Sequence, residues 1–350
     1  EVSDYFKENL QNNHFVNPDQ TVYIGLDSGW DCMNEEQLKS FIEKCKSNGQ
    51  IGGIYWTPFT DWARDPERTV DAAPEYKYKD IYLYANGKPQ ELDGAYAVDP
   101  THPAVEAMMK KTSGLFHRAG FEYVKMDFMT HGAMEADKWY NPEITTGIQG
   151  YNYGMKLLNQ YFGDMYINLS ISPVFPAQYA QSRRIACDAW NQIKDTEYTL
   201  NALSYGWWQK YIYQYNDADH IVLRDATDGE NRARITSGVI TGIYITGDDF
   251  SAGGGKDAKE KSQKYLTNAS VNAVATGEVF RPVEGNGEKS EHIFVRKTPD
   301  IRFHCAVFNC SDQEQTTVLS LERIGLDKAR NYQVKELWSG HETFATGQLE

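Results

Sequence analysis

The stretch Tyr123 to Phe128 ends an apolar run in two charges, Lys125 and Asp127. Alternate residues of a strand share a face, so this ammonium and carboxylate point the same way. Such a pair suits a structural ion pair, and equally a carboxylate nucleophile kept ionised beside a substrate-binding cation. Other polar and aromatic groups fall at comparable points: Asp27, Tyr55 with Trp56, Arg184 with Asp188, and Asp217 with Asp219. Two carboxylates from different strands can perform a double displacement at a glycosidic carbon. One attacks, while the other, about 5–5.5 Å away, acts first as acid and then as base. Asp127 and Asp188 fit those roles. Asp188 follows Cys187 and precedes Ala189 and Trp190, a more apolar setting expected to favour its protonated form. Two other chemistries compete. A desolvated Lys125 would form a Schiff base with a carbonyl substrate, a role opposed by the carboxylate two residues on. A sugar-binding barrel without catalysis would keep the aromatics but need not keep both acids, and both are present.

These residues need a frame that gathers strand ends. Strand-like segments at 21–27, 51–58, 121–127, 165–172, 183–190, 215–223 and 238–249 alternate with helical ones. Helices are expected over 3–12, from Asn34 as cap to Gly49, from about Thr101 to Ala119, and over 149–162, 197–210 and 229–237. From Asp27 to Tyr55 is 28 residues, and from Asp188 to Asp219 is 31. Both intervals match the βαβ repeat of about 30. The longer gap of 71 residues between Trp56 and Asp127 holds an insertion near 81–98, expected to be a hairpin turning at Asn86-Gly87 and serving as a lid or wall. A doubly wound sheet would carry a glycine-rich turn after its first strand, and none is present. The expected fold is therefore a (β/α)8 barrel with the active face at the strand C-termini. Seven strands are countable, so strand one is expected to be missing from this chain. From Glu278 onward, short alternating segments at 292–297, 301–309, 315–321 and 332–340 read as an antiparallel β domain. The expected domains are 1–277, catalytic, and 278–350, incomplete.

Thirty-five basic and 49 acidic residues give a net charge of −14, which disfavours nucleic acid as a partner. No apolar run approaches the roughly 20 residues that cross a bilayer, and a membrane partner is not expected. Five cysteines at 32, 45, 187, 305 and 310 match no zinc spacing and are too few for a disulfide scaffold. No metal or cofactor is expected, and the compartment stays open. Twenty-three tyrosines and eight tryptophans suit a cleft that stacks rings on sugar faces.

In this order and at these intervals, the motifs resemble the glycoside hydrolases of families 27 and 36, the α-galactosidases and their relatives. YVKMDF is similar to their Lys-x-Asp nucleophile strand, RIACD to the family 27 Arg-x-x-x-Asp acid/base strand, and YIGLDSGW to their Asp-Asp-x-Trp sugar-binding turn. GGIYW resembles their following strand and YNDADHIVL their Asn-Asp-x-Asp strand. The likeness runs from about Val22 to Val283. It implies Asp127 as nucleophile, Asp188 as acid/base, and Arg184 as a contact to the sugar's C2 substituent. Asp27, Trp30, Tyr55, Trp56, Lys125 and Trp190 are the further substrate contacts. Ser28 stands where the family has a second Asp, so a contact to O4 and O6 is expected from elsewhere, with Asp61 the candidate. Small Ser170 and Ser172 in the loop after strand five leave room at C2. The resemblance implies a retaining exo-acting enzyme on an oligosaccharide or glycoconjugate, with α-galactose ranked first. α-N-acetylgalactosamine and β-L-arabinopyranose are the alternatives. Asp217, Asp219 and His220 read as loop-capping or supporting groups.

Overall fold

The computed structural model describes residues 1–283, 292–300 and 302–350. The chain forms two compact units, Val22–Arg183 and Glu1–Thr21 together with Arg184–Glu350.

In the unit 22–183, strands β1 (Tyr23–Leu26), β2 (Ile51–Trp56), β3 (Tyr123–Met126), β4 (Tyr166–Leu169) and β5 (Ser182–Arg184) pair in parallel, in chain order. Helices intervene because the sequence supplies both a cap and an apolar face. Asn34 accepts the Gln37 N–H while Gln37 returns a bond to the Asn34 N–H, and Leu38, Ile42 and Cys45 of helix Glu35–Ser47 are buried. That helix lies close to β2: a Cβ on Gly52 would stand 2.1 Å from the Ile42 side chain. His102 caps helix Pro103–Ala119 through its ring, and Thr146 caps Gly147–Phe162.

The insertion holds two successive hairpins where one was expected. Asn86 and Gly87 (φ 52° and 71°) turn the strands Tyr84–Ala85 and Lys88–Pro89. Asp93 and Gly94 (φ 51° and 86°) then turn Glu91–Leu92 into Ala95–Ala97. Positive φ at both central residues is what a two-residue hairpin loop of type I′ requires. Ala95–Ala97 also pairs with Thr60–Asp61, which fastens the insertion to the loop after β2.

In the other unit, Arg184 closes β5, and the next residue, Ile185, donates its N–H to the Asp217 carbonyl at 3.1 Å. There β6 (Tyr215–Ile221) runs parallel to β7 (Ile243–Thr246). Among the described residues the parallel strands are thus five in one unit and two in the other, together the seven read from sequence. Two boundaries differ from expectation. The segment 238–249 was read as one strand, but Gly238–Thr241 ends helix Asp228–Thr241 and only Ile243–Thr246 is extended. Val239 and Ile240 are buried in that helix, and a buried helix face needs the same apolar run as a buried strand. The segment 183–190 is strand only at its start, so Asp188 sits in a bent loop beyond β5. Helix Lys256–Tyr265 went unread.

Antiparallel strands follow, as expected. Arg281–Pro282, Ile293–Lys297 and Phe303–Val307 form one sheet, while Leu319–Ser320, Gln348–Leu349, Glu342–Thr346 and Asn331–Lys335 form another. Ile301, counted in the sequence segment 301–309, lies outside the described residues. Leu319, Leu321, Ile324 and Ala345 make a core that Val283, Ile293, Val295, Tyr332 and Val334 pack against, so the two sheets share one apolar layer. Among the described residues no helix is long and apolar enough to cross a membrane.

Candidate active site

Register gathers the first group of candidate residues, those of the unit 22–183. Tyr55 pairs with Lys125 and Lys125 with Asn168, while Asn168 pairs with Ser182 across to β5. Leu26 pairs with Ile54, so Asp27, one residue on, stands level with Tyr55. One row across the strand ends thus carries Asp27, Tyr55, Lys125 and Asn168. The Lys125 ammonium lies 3.3 Å from the Asp27 carboxylate and 5.3 Å from the centre of the Tyr55 ring. Asp27 is 63% exposed and available to a ligand, whereas Lys125 is largely enclosed. Asn168, which sequence reasoning missed, is buried, donates to the Tyr123 hydroxyl at 2.9 Å and accepts from Ser182 at 2.7 Å. Its position on Lys125's neighbouring strand was the only signal.

Asp127 follows β3 on the Lys125 face. It is 6% exposed, its N–H donates to the Trp56 carbonyl at 2.9 Å, and its Oδ1 accepts the Phe128 N–H at 2.7 Å. Phe128 takes a left-handed conformation (φ 53°), which for a bulky residue is strained and persists only where its surroundings impose it. Those surroundings are present. The Trp62 ring meets Phe128 edge-on at 4.7 Å, and buried His131 reaches the Phe128 carbonyl through Nδ1 (2.9 Å) and the Leu92 carbonyl through Nε2 (2.8 Å). His131 therefore ties the Asp127 loop to the second hairpin. Thr130 adds two bonds of 2.8 Å to the Ile171 carbonyl, which fix the Asp127 loop against the loop after β4. In that loop Ser170 and Ser172 are buried, and their hydroxyls have no hydrogen-bond partner among the described residues. Arg183 holds the Ser172 carbonyl.

The expected aromatics divide. Trp30 gives its indole N–H to the Tyr55 carbonyl at 2.6 Å and packs edge-on against Phe116 at 5.0 Å. Trp56 stacks on Phe162 at 5.5 Å. Both rings thereby brace β2.

Asp61 departs from expectation. Its carboxylate is 1% exposed, with Oδ1 against Arg68 and the Ala63 N–H and Oδ2 accepting from the Tyr82 hydroxyl. Arg68 in turn covers the Tyr78 ring at 3.7 Å. Burial, then the bond to Asp61, pushes the Tyr82 phenol upward, consistent with its donating that proton. A side chain so enclosed is a hub of the hairpin wall and cannot reach a sugar hydroxyl. The Tyr82 ring also lies 6.4 Å from that of Tyr84. Replacing Asp61→Asn is expected to lower stability by about 1–3 kcal/mol, because one buried partner would then face a mismatched amide end. Thermal or urea unfolding measures this, with unchanged KM the companion observation.

The unit containing residues 184–350 carries the second group. Asp188 is 56% exposed, and its Oδ1 lies 2.8 Å from Arg184 Nη1. The apolar setting expected for Asp188 is thus corrected: its neighbour is a guanidinium, and the loop bends it toward solvent. Arg184 was expected to meet the sugar. Its side chain is only 4% exposed and also contacts the Asp219 Oδ1 at 3.1 Å, so it is held between two carboxylates. Trp190 is exposed, with its ring edge-on to His220 at 4.7 Å. No group of His, Cys, Asp and Glu suited to a metal occurs among the described residues.

Residues 288–350 match the alpha galactosidase C-terminal beta sandwich domain family, Melibiase_C. No curated protein matches the chain by sequence. Among solved structures, a GH27 β-L-arabinopyranosidase from Geobacillus stearothermophilus aligns over 99% of this chain and 87% of its own, with TM-score 0.69 and 16% identity. An α-galactosidase from Saccharomyces cerevisiae with raffinose aligns over 96% and 76%, with TM-score 0.61 and 14% identity. An α-galactosidase from Thermus thermophilus in complex with stachyose aligns over 70% and 57%, with TM-score 0.55 and 19% identity. The family 27 and 36 likeness read from the motifs thus extends to the fold and to the C-terminal domain.

Proposed function

We propose that this chain, which carries the fold and the C-terminal domain of the α-galactosidase superfamily, is a retaining exo-acting α-glycosidase that releases terminal α-linked galactose. The observation that carries the reading is Asp127: a buried carboxylate at a parallel strand's C-terminal end, oriented by a strained neighbour, beside the Asp27–Lys125 pair. In the first step an Asp127 oxygen forms a bond to the anomeric carbon as the glycosidic C–O bond breaks. Asp188 gives its proton to the departing oxygen. In the second, Asp188 takes a proton from water as water's oxygen displaces Asp127, and the original configuration returns. Asp27, Tyr55, Lys125 and Trp190 are the proposed sugar contacts, with Trp30 and Trp56 bracing β2 and Arg184 orienting Asp188. Schiff-base chemistry at Lys125 would first have to break its ion pair with Asp27.

One observation favours a second glycone. β-L-arabinopyranose has the ring of α-galactose without its C6 hydroxymethyl group. With Ser28 after Asp27 and Asp61 enclosed in the hairpin wall, the two carboxylates anticipated at O4 and O6 reduce to one. Nitrophenyl glycosides of α-galactose, α-N-acetylgalactosamine and β-L-arabinopyranose separate the readings. The largest kcat/KM is expected for α-galactose. A preference above about tenfold for either rival, worth ~1.4 kcal/mol in transition-state binding, would overturn that ranking.

A further inference from the structure

We infer that Asp219 is a positioning residue for Asp188, holding the proposed acid/base carboxylate through both its side chain and the peptide that follows it; the inference rests on the assignment of Asp188 above. Asp219 is buried, and its two oxygens have separate tasks. Oδ1 accepts from Arg184 Nη1 at 3.1 Å, and the same Nη1 lies 2.8 Å from Asp188 Oδ1. Oδ2 accepts the N–H of Ala189, the residue after Asp188, at 2.7 Å. One carboxylate therefore fixes Asp188 at two points, and the loop carrying Asp188 needs such fixing because it has already left β5.

The protein aims Asp219 with local backbone irregularity. The β6–β7 register shifts between Asp217 and His220, and Asp219 sits in that bulge with φ 67°. Bulges of this kind re-aim a side chain. The Asp217 carboxylate accepts the Asp219 N–H at 2.8 Å. Arg234, fully enclosed, donates to the carbonyls on either side, Ala218 at 2.8 Å and His220 at 2.7 Å. The bulge is thus clamped by a buried guanidinium, and its carboxylate faces Arg184, Ala189 and, at 3.9 Å, the His220 ring. A group whose sole task was to neutralise Arg184 would leave the Ala189 N–H to another partner.

Asp219→Asn keeps the shape, but an amide has one acceptor oxygen and must turn a donor toward either Arg184 or Ala189. The test is kcat/KM for a series of aryl glycosides of the fastest glycone, plotted against leaving-group pKa, for wild type, Asp219→Asn and Asp188→Ala. If Asp219 positions the acid, Asp219→Asn loses roughly 10–100-fold on poor leaving groups, which need protonation, and under about 3-fold on the dinitrophenyl glycoside, which does not. The slope steepens toward that of Asp188→Ala. A purely structural role lowers all substrates alike and leaves the slope flat, overturning the inference. Should Asp219→Asn not fold, Arg184→Lys breaks the same link from its other end and must steepen the slope likewise. If Asp188→Ala itself shows a flat slope, the acid/base assignment fails. If Asp188→Ala is steep and Asp219→Asn flat, the positioning inference alone fails.

Discussion

Asp127→Ala is expected to abolish turnover, with kcat on the best nitrophenyl glycoside falling at least about 10⁴-fold, the scale on which nucleophile deletions act. The size follows from what the carboxylate does. In the proposed double displacement it forms the bond that replaces the glycosidic one. Asp127→Asn is the sharper variant. It retains the volume and the acceptor for the Phe128 N–H at 2.7 Å, so the left-handed turn at Phe128 should survive. An amide oxygen is a far weaker nucleophile, and the loss should be nearly as great as for alanine. Unfolding temperatures within a few degrees of wild type would show that the fold is intact. Retention by Asp127→Asn of more than about a hundredth of the wild-type rate would assign the attack elsewhere.

How far such a site can be read before the fold is known depends on where each constraint is stored. Strands β1 to β4 were legible because each is a local, largely apolar run ended by a turn, and the turn at Asn86-Gly87 because its two residues favour positive φ. Asp93-Gly94 gave the same signal seven residues later and marks the hairpin that was overlooked. Thr227 with Glu230 is a capping box just as legible as Asn34 with Gln37, and it starts the helix that runs to Thr241. The Val239-Ile240 run misled because burial makes helix and strand alike in composition. Lys125 and Asp127 could be placed on one face by the two-residue period alone. Asp61 and Asp188 could not. The enclosure of Asp61 comes from Tyr82, 21 positions away, and the pairing of Asp188 depends on the fold of its loop around Arg184. Asp219 lay in a quoted motif, yet its two-point hold on Asp188 requires Arg184 and Ala189, 35 and 30 positions away, to be its neighbours.

Asp188→Ala should behave unlike Asp127→Ala in a way that identifies both carboxylates in one experiment. Without its acid/base, the enzyme should lose about 10²-fold or more on substrates with poor leaving groups, the contribution general acid catalysis makes. A dinitrophenyl glycoside departs unaided, so the covalent intermediate on Asp127 should still form and then accumulate, because no base remains to activate water. Azide needs no base. It should therefore restore turnover of Asp188→Ala, and because it enters on the face the leaving group vacated, the glycosyl azide must have the anomeric configuration of the substrate. Azide added to Asp127→Ala occupies the space of the missing carboxylate on the opposite face, and any product there must be the other anomer. The anomeric proton coupling in the NMR spectrum of each product reads the result directly. Exchange of the two outcomes would reverse the roles of Asp127 and Asp188, and absence of rescue in Asp188→Ala would remove Asp188 from the mechanism.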